Sequence, residues 1–512
     1  MKDLAAKYHT GQFRKGNDAL PYIVHPEAVV ETLLSWGEAP DSPAIAMAWG
    51  HDLLEDTTVS EAEILAASDE TVLAGIRQLT HASGTDKAAY LKKLAQTGSR
   101  EVILVKMADR ISNSKDFIAL KGELRAYRYL HAADCLFDSW SKWLPDPVIS
   151  NAREAFENLS ACLEPKALLE AFRGCFIGGA VGDALGAPVE FGSREDIIQI
   201  YGTEGVQDYV EFSDGTGSIT DDTQMALFTA EGILRAHTCY VNNGILKTDI
   251  PGIVEKAYSR WLETQGVPST GGAEDLHSGW LIGEKRLWCC RAPGMTCVEA
   301  LRNPRSDHKA KNNSKGCGTV MRMAPVGMFH WFNPIRAYQE AAAYSAITHG
   351  HPTGIIAGGA FAMLIAWILK GKSLEESLDR VDEFLAEVPD SEETRLALQK
   401  ARSVSNVTEL GAGWIAEEAL AIGVYCALKH TGDFRSGVVE AVNISGDSDS
   451  TGAIAGNLLG ALNGLHNIPA DLRENLREYD IVDRMALDIF ADNADDALPA
   501  PCDIWEKRYP GF

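Results

Sequence analysis

Apolar residues recur at spacings of three and four through most of the chain, the period of helices with one buried face. AIAMAWGHDLLED (44–56), SREVILVKMADRISN (99–113), DDTQMALFTAEGILRA (221–236), PTGIIAGGAFAMLIAWILKG (352–371) and AEEALAIGVYCALKH (416–430) all show it. Period-two alternation is confined to GVQDYVEF (205–212), one short strand candidate. The pattern predicts an all-α chain. Its rhythm is interrupted by LPDPVISN (144–151), where two prolines precede a short helical stretch, AREAFENLSACL. We therefore expect two helical domains, residues 1–145 and 169–512, joined by a linker helix region over 146–168. The longest apolar run, Gly354 to Leu369, falls short of the roughly 20 residues of a membrane span and reads as a buried helix.

Composition then limits the function. The 512 residues are 46% hydrophobic and 23% charged, ordinary values for a globular chain. Asp plus Glu (72) outnumber Lys plus Arg (47), for a net charge of −25. Such a chain has no general attraction to phosphate backbones, which argues against nucleic-acid coating. Phosphorylated small molecules stay open, because a metal ion reverses the local sign of the field. The ten cysteines form no CxxC pair. With no apolar stretch in MKDLAAKYHTGQF, they lead to the expectation of a cytoplasmic protein with reduced thiols and no membrane partner.

The N-terminal half concentrates its chemistry in WGHDLLEDT. On one continuous helix, Glu55 lies a turn beyond His51 and Asp56 a turn beyond Asp52. His25 in PYIVHP and Asp109 in KMADRISN add one imidazole and one carboxylate. Two histidines and two carboxylates suit a divalent transition metal, with Mn²⁺, Fe²⁺ and Zn²⁺ all chemically open. A water on such an ion is acidified for attack on phosphorus, and Glu55 and Asp56 are placed to orient or deprotonate it.

GQFRKGNDALPYIVHP, GHDLLEDT and VKMADRISN, in this order, resemble the HD-type hydrolase domain of the RelA/SpoT family over about residues 3–120, and most closely the small alarmone hydrolases. The resemblance implies one Mn²⁺ and removal of the 3′-pyrophosphate of (p)ppGpp. It assigns His25, His51, Asp52 and Asp109 as metal ligands, and Glu55 and Asp56 as the catalytic acidic pair. Arg14, Lys15 and Asn113 become nucleotide-binding residues. KGELRAYRYLHAADCLF does not reproduce the last helix of that family, so guanine and adenine alarmones both stay open.

The C-terminal half carries three acidic segments. FRGCFIGGAVGDALGAPVEF contains Asp183 and Glu190, GSITDDTQMAL contains Thr220, Asp221 and Asp222, and VNISGDSDSTGAIAGN contains Asp447, Asp449 and Ser450. Asp and Thr at a helix start are ordinary caps when alone. Two vicinal-acid clusters without nearby His or Cys point to paired Mg²⁺ ions, and the glycines around them would let the backbone approach a ribose or pyrophosphate.

With RAPGMTCVEALR, GCGTVMRMAPVG, THGHPTG and GAGWIAEEALAIGVYCAL, this half resembles the ADP-ribosylglycohydrolase family from about Phe172 to Gly464. That family includes the dinitrogenase-reductase-activating glycohydrolase and the ADP-ribosylarginine hydrolases. The resemblance implies an all-α fold with two Mg²⁺ ions, cleaving the bond between ADP-ribose and a protein side chain. Thr220, Asp221, Asp222, Asp447, Asp449 and Ser450 take the place of metal ligands. Gly316, Gly318, Thr319 and His349 take that of nucleotide-binding residues. Glu190 and Asp222 are the candidate catalytic acids, with the choice between them open.

The expected whole is a bifunctional hydrolase acting on an ADP-ribosylated protein, with arginine ahead of serine as acceptor, and on an alarmone-type nucleotide. Pairing two reactions that undo products of nucleotide-using toxins leads to the expectation of an antitoxin or immunity role with a cognate toxin. The alternative is an ADP-ribosylhydrolase whose HD domain senses a nucleotide or binds a toxin without turnover.

Overall fold

The segments with helical periodicity are helices in the computed structural model, and the chain is all-α apart from two short antiparallel pairs among the described residues. Those residues are 1–14, 17–81, 87–121, 126, 129–130, 136, 139–143, 146–163, 166–212, 215–243, 248–268, 277–492 and 503–511. Lys15 and most of KGELRAYRYLHAADCLF lie outside them. The chain divides into two compact units, one formed by Met1–Pro165 and the other beginning at Lys166.

In the first unit, α1 (Val24–Ser35), α2 (Pro43–Gly50), α3 (Leu53–Asp56) and α4 (Arg100–Lys121) surround a core that includes Val29, Leu33, Ala48, Leu53, Leu104 and Met107. Ser42 caps α2 by accepting from Ile45 N, and Pro43 opens it, where a missing N–H costs nothing. The continuous helix expected over 44–56 is not formed. Helix α2 ends at Gly50, His51 and Asp52 make a turn, and α3 starts at Leu53. The break has a physical use. Adjacent residues of an unbroken helix point about 100° apart, whereas here His51 Nε2 and Asp52 Oδ2 come within 3.1 Å. A hairpin pairing Phe13–Arg14 with Asn17–Pro21 precedes α1.

The second unit is built on α5 (Lys166–Gly186), α6 (Asp221–Asn243), α7 (Pro352–Leu369), α8 (Ala416–Lys429) and α9 (Ser448–Asn463). Gly174, Gly178 and Gly182 recur every fourth residue on α5 and face Gly460, Gly456 and Gly452 of α9 in antiparallel order. A Cβ at any of the six would collide with the backbone carbonyl opposite. The glycines expected to admit a ligand therefore admit a second helix. The backbones meet so closely that Asp183, near the end of α5, lies beside the start of α9. Helix α7 is long and apolar enough to cross a membrane, but 83% of that stretch is buried inside the protein. The strand candidate shrinks to Glu211–Phe212, paired with Gly215–Thr216.

Candidate functional sites

Four side chains of the first unit converge at the turn between α2 and α3. His25 Nε2 lies 3.3 Å from His51 Nε2, 3.1 Å from Asp109 Oδ1 and 3.6 Å from Asp52 Oδ2. The His51 Nδ1–H donates to the Ala48 carbonyl at 2.8 Å. That bond makes Nδ1 the donor and turns Nε2 towards the centre, where it would be the atom offered to a metal. Two imidazoles and two carboxylates converging on one point form a donor set that fits a divalent metal, which would take the place of the protons the rings otherwise carry. Burial opposes a charged His51, yet Asp52 and Asp109 outweigh it and raise its pKa to about 10. Burial likewise opposes an ionised Asp109, but Lys106, 3.0 Å from its Oδ2, together with His25 and His51 outweighs burial and holds the carboxyl well below its usual range.

The surrounding residues fall into two groups. Glu55 and Asp56 are exposed at the same turn, and Glu55 accepts the His81 N–H at 3.0 Å. Arg14 donates to Asn113 Oδ1 at 2.8 Å and pairs with Asp116, while Asn113 donates to Asp109 at 2.6 Å. Sequence reasoning missed Tyr22. Its hydroxyl lies 2.7 Å from Asp52 Oδ2 and 3.0 Å from Asp56 Oδ2, tying the two carboxylates together. Burial, then both carboxylates, push the Tyr22 pKa up, so the phenol stays protonated and donates. Tyr22 stands in PYIVHP, three residues before His25, and that proximity was the only signal available.

The second unit gathers carboxylates around one cavity. A cavity of about 320 Å³ is lined by Glu190, Asp221, Asp222, Asp447, Asp449 and Ser450 among others, with no Lys or Arg in its lining among the described residues. Glu190, Asp447 and Asp449 offer oxygens within 4.8 Å of one another. Ser450 Oγ donates to Asp222 Oδ2 at 2.7 Å, joining the starts of α9 and α6. Burial first, then the Asp449 charge, raises Asp221, Asp222 and Asp447 well above the usual carboxylate range. An all-oxygen set under mutual repulsion fits hard divalent cations, and Thr220, Asp221, Asp222, Asp447, Asp449 and Ser450 would hold them.

Asp183, also raised by burial and Asp449 (to about 7), is missing from the expected ligands because its role is internal. It accepts the N–H groups of Thr220 and Thr223 and the Thr223 hydroxyl, which shapes the loop that presents Asp221 and Asp222. A fully buried pair, Arg291 and Glu478, grips the same loop. Arg291 donates to Ile219 O at 3.0 Å, its carbonyl accepts from Asp221 N at 3.2 Å, and Glu478 lies 3.0 Å from its guanidinium.

Gly316 and Gly318 line the cavity, where an added Cβ would press on His349 at 3.3 and 3.2 Å. Burial, then Arg322, lowers the His349 pKa to about 3, so the ring is neutral. Thr319 is buried beneath the lining, its hydroxyl donating to Gly316 O. Cys317, unforeseen, donates its thiol to Asp447 Oδ2 at 2.7 Å.

Comparison with known proteins separates the two units. Residues 164–498 match the ADP-ribosylglycohydrolase family. An ADP-ribosyl-dinitrogen reductase glycohydrolase of Rhodospirillum rubrum is 26% identical over 303 residues, 58% of this chain and 87% of that protein. The ADP-ribosylarginine hydrolase Tri1 of Pseudomonas putida is 26% identical over 341 residues, 64% of this chain and 81% of that protein. A guanosine-3′,5′-bis(diphosphate) 3′-pyrophosphohydrolase of Haemophilus influenzae is 30% identical over 131 residues, which are 24% of this chain but only 19% of that protein.

Proposed function

Because the chain belongs to the ADP-ribosylglycohydrolase family, we propose that its second unit releases ADP-ribose from modified protein side chains, with arginine as the acceptor. We propose further that the first unit removes pyrophosphate from an alarmone-type nucleotide. The observation that carries the first reading is the buried all-oxygen array beside Glu190 in a cavity of about 320 Å³. Two Mg²⁺ ions, when bound, would supply the positive charge that fixes the ribose hydroxyls. The chain's residues then divide the remaining work. Gly316 and Gly318 leave room for the diphosphate, and Glu190 is placed to move a proton as water replaces the side-chain nitrogen at the anomeric carbon. Asp222, tied to Ser450, belongs with the ligands in this reading, which favours Glu190 as the acid.

In the first unit, His25, His51, Asp52 and Asp109 would hold one Mn²⁺, whose contribution is an acidified water. Glu55 and Asp56 would orient the attacking water, and Tyr22 keeps Asp56 beside Asp52. Arg14 and Asn113, joined at 2.8 Å, form the wall facing the nucleotide. The pairing of two reversal reactions supports a role in neutralising toxins that modify proteins or make alarmones.

Purified protein loaded with Mg²⁺ and Mn²⁺ should release ADP-ribose from an arginine-modified peptide. It should also release pyrophosphate from at least one of ppGpp, pppGpp and ppApp, resolved by anion exchange. Turnover of the peptide without turnover of any alarmone would reduce the first unit to a sensor or docking module.

A further inference from the structure

Two large aromatic rings stand exposed in the lining of the C-terminal cavity. Phe191 is 70% exposed and Trp414 40%, and both line the cavity that holds Glu190 and Asp447. The rings stack with centroids 5.2 Å apart and planes at 22°. Phe191 has a backbone φ of +70°, a left-handed conformation that a bulky side chain rarely adopts and that costs stability. Its N–H is fixed there by the Gly446 carbonyl at 3.3 Å. The Trp414 carbonyl accepts from Cys317 N at 3.2 Å, which anchors the second ring beside the residue that contacts Asp447. A strained phenylalanine with most of its ring in water contributes little to core packing, so the arrangement is explained by what the ring meets.

Resting on the reading of this unit as an ADP-ribosyl hydrolase, we propose that the Phe191–Trp414 shelf is the acceptor subsite, and that it recognises the guanidinium of the modified arginine. Three features carry the assignment. A planar, delocalised cation stacks on aromatic faces, and a guanidinium is more weakly hydrated than an ammonium. Phe191 follows Glu190 and bonds Gly446, next to Asp447, while Trp414 holds Cys317, which contacts Asp447, so the shelf borders the oxygens of Glu190, Asp447 and Asp449. That region receives the group attached to the ribose, whereas the adenine lies a diphosphate away. A neutral hydroxyl acceptor such as serine gains nothing from the shelf, so the shelf discriminates between acceptors.

The test uses the full chain with Mg²⁺ and saturating ADP-ribose, into which agmatine is titrated by calorimetry. Agmatine should bind, and Phe191→Ala and Trp414→Leu should each weaken it about tenfold, the scale of a partly desolvated cation–π contact. In parallel, the ratio of kcat/KM for arginine-linked over serine-linked ADP-ribosyl peptides should fall about tenfold in both variants. Equal losses on both peptides with agmatine affinity unchanged would overturn the proposal. So would variants that lose ADP-ribose affinity instead, because the shelf would then hold the base. Should the wild type hydrolyse neither peptide, the parent reading fails. The agmatine titration still decides the shelf, since absence of binding overturns it and binding lost in both variants sustains it.

Discussion

The two centres manage negative charge in opposite ways. In the first unit, Asp52 and Asp109 sit among His25, His51 and Lys106, and their carboxyls are held below the usual range although burial alone would raise them. In the second, Asp221, Asp222, Asp447 and Asp449 are pushed up by burial and one another, with no Lys or Arg in the cavity lining among the described residues. The first centre is nearly balanced by its own side chains, and its imidazoles would suit a transition metal that accepts nitrogen as well as oxygen ligands. The second crowds carboxylates whose charge must be relieved by protons or by bound cations, and its oxygens would suit hard ones. The difference teaches that the same residue, aspartate, serves two chemistries according to the cations around it.

Removing one proposed ligand from each centre gives the largest expected effect. Asp52→Ala should lower pyrophosphate release by about 10²–10³-fold or more and spare ADP-ribose release. Asp449→Ala should do the reverse, with circular dichroism unchanged in both. Loss of both activities in either variant would break the independence of the two centres.

Tyr22→Phe sharpens the contrast at the first centre, because the phenol joins Asp52, a ligand in the proposed reading, to Asp56. Pyrophosphate release should drop about 10–100-fold, the usual loss for a residue that orients a ligand. ADP-ribose release should not move.

The second centre depends instead on backbone contact between α5 and α9. Gly456→Ala places a Cβ against the Gly178 carbonyl and should destabilise the second unit by about 1–3 kcal/mol, read in its thermal transition. A transition that does not shift would mean the helices separate without consequence for the site.

The smallest effect lies outside both centres, where the second unit does compensate a buried acid. Burial raises Glu340, but His330, Tyr344 and Arg336 outweigh it and lower its pKa to about 2. A lowered carboxyl adds stability that is fully present above its unfolded value of 4.5 and lost as pH falls through the folded one. Glu340→Gln should therefore cost about 1 kcal/mol at pH 7 and progressively less between pH 4.5 and 2, measured by denaturant melts.

Helical class was legible because buried faces impose a period that single residues cannot hide, and α4, α6, α7 and α8 follow it. The acidic segments that line the second unit's cavity were legible because their acids crowd into short stretches such as SITDDTQ and GDSDST. The turn at His51–Asp52 was not, since Gly50 alone does not dictate where a helix breaks. The α5 glycines were misread for a related reason. Their spacing of four fits both a ligand cradle and a helix partner, and only the matching stripe on α9 decides between them. Asp183, the Arg291–Glu478 pair and the Phe191–Trp414 stack join residues far apart in the chain, and nothing in their local sequence announces the partner.

The account is tested most directly by stripping one preparation with a chelator, returning Mg²⁺ alone or Mn²⁺ alone, and reading both activities on the same sample. ADP-ribose release should return with Mg²⁺, whereas pyrophosphate release should stay absent with Mg²⁺ and return with Mn²⁺. Recovery of both activities with Mg²⁺ alone would contradict the division between a hard oxygen centre and an imidazole one.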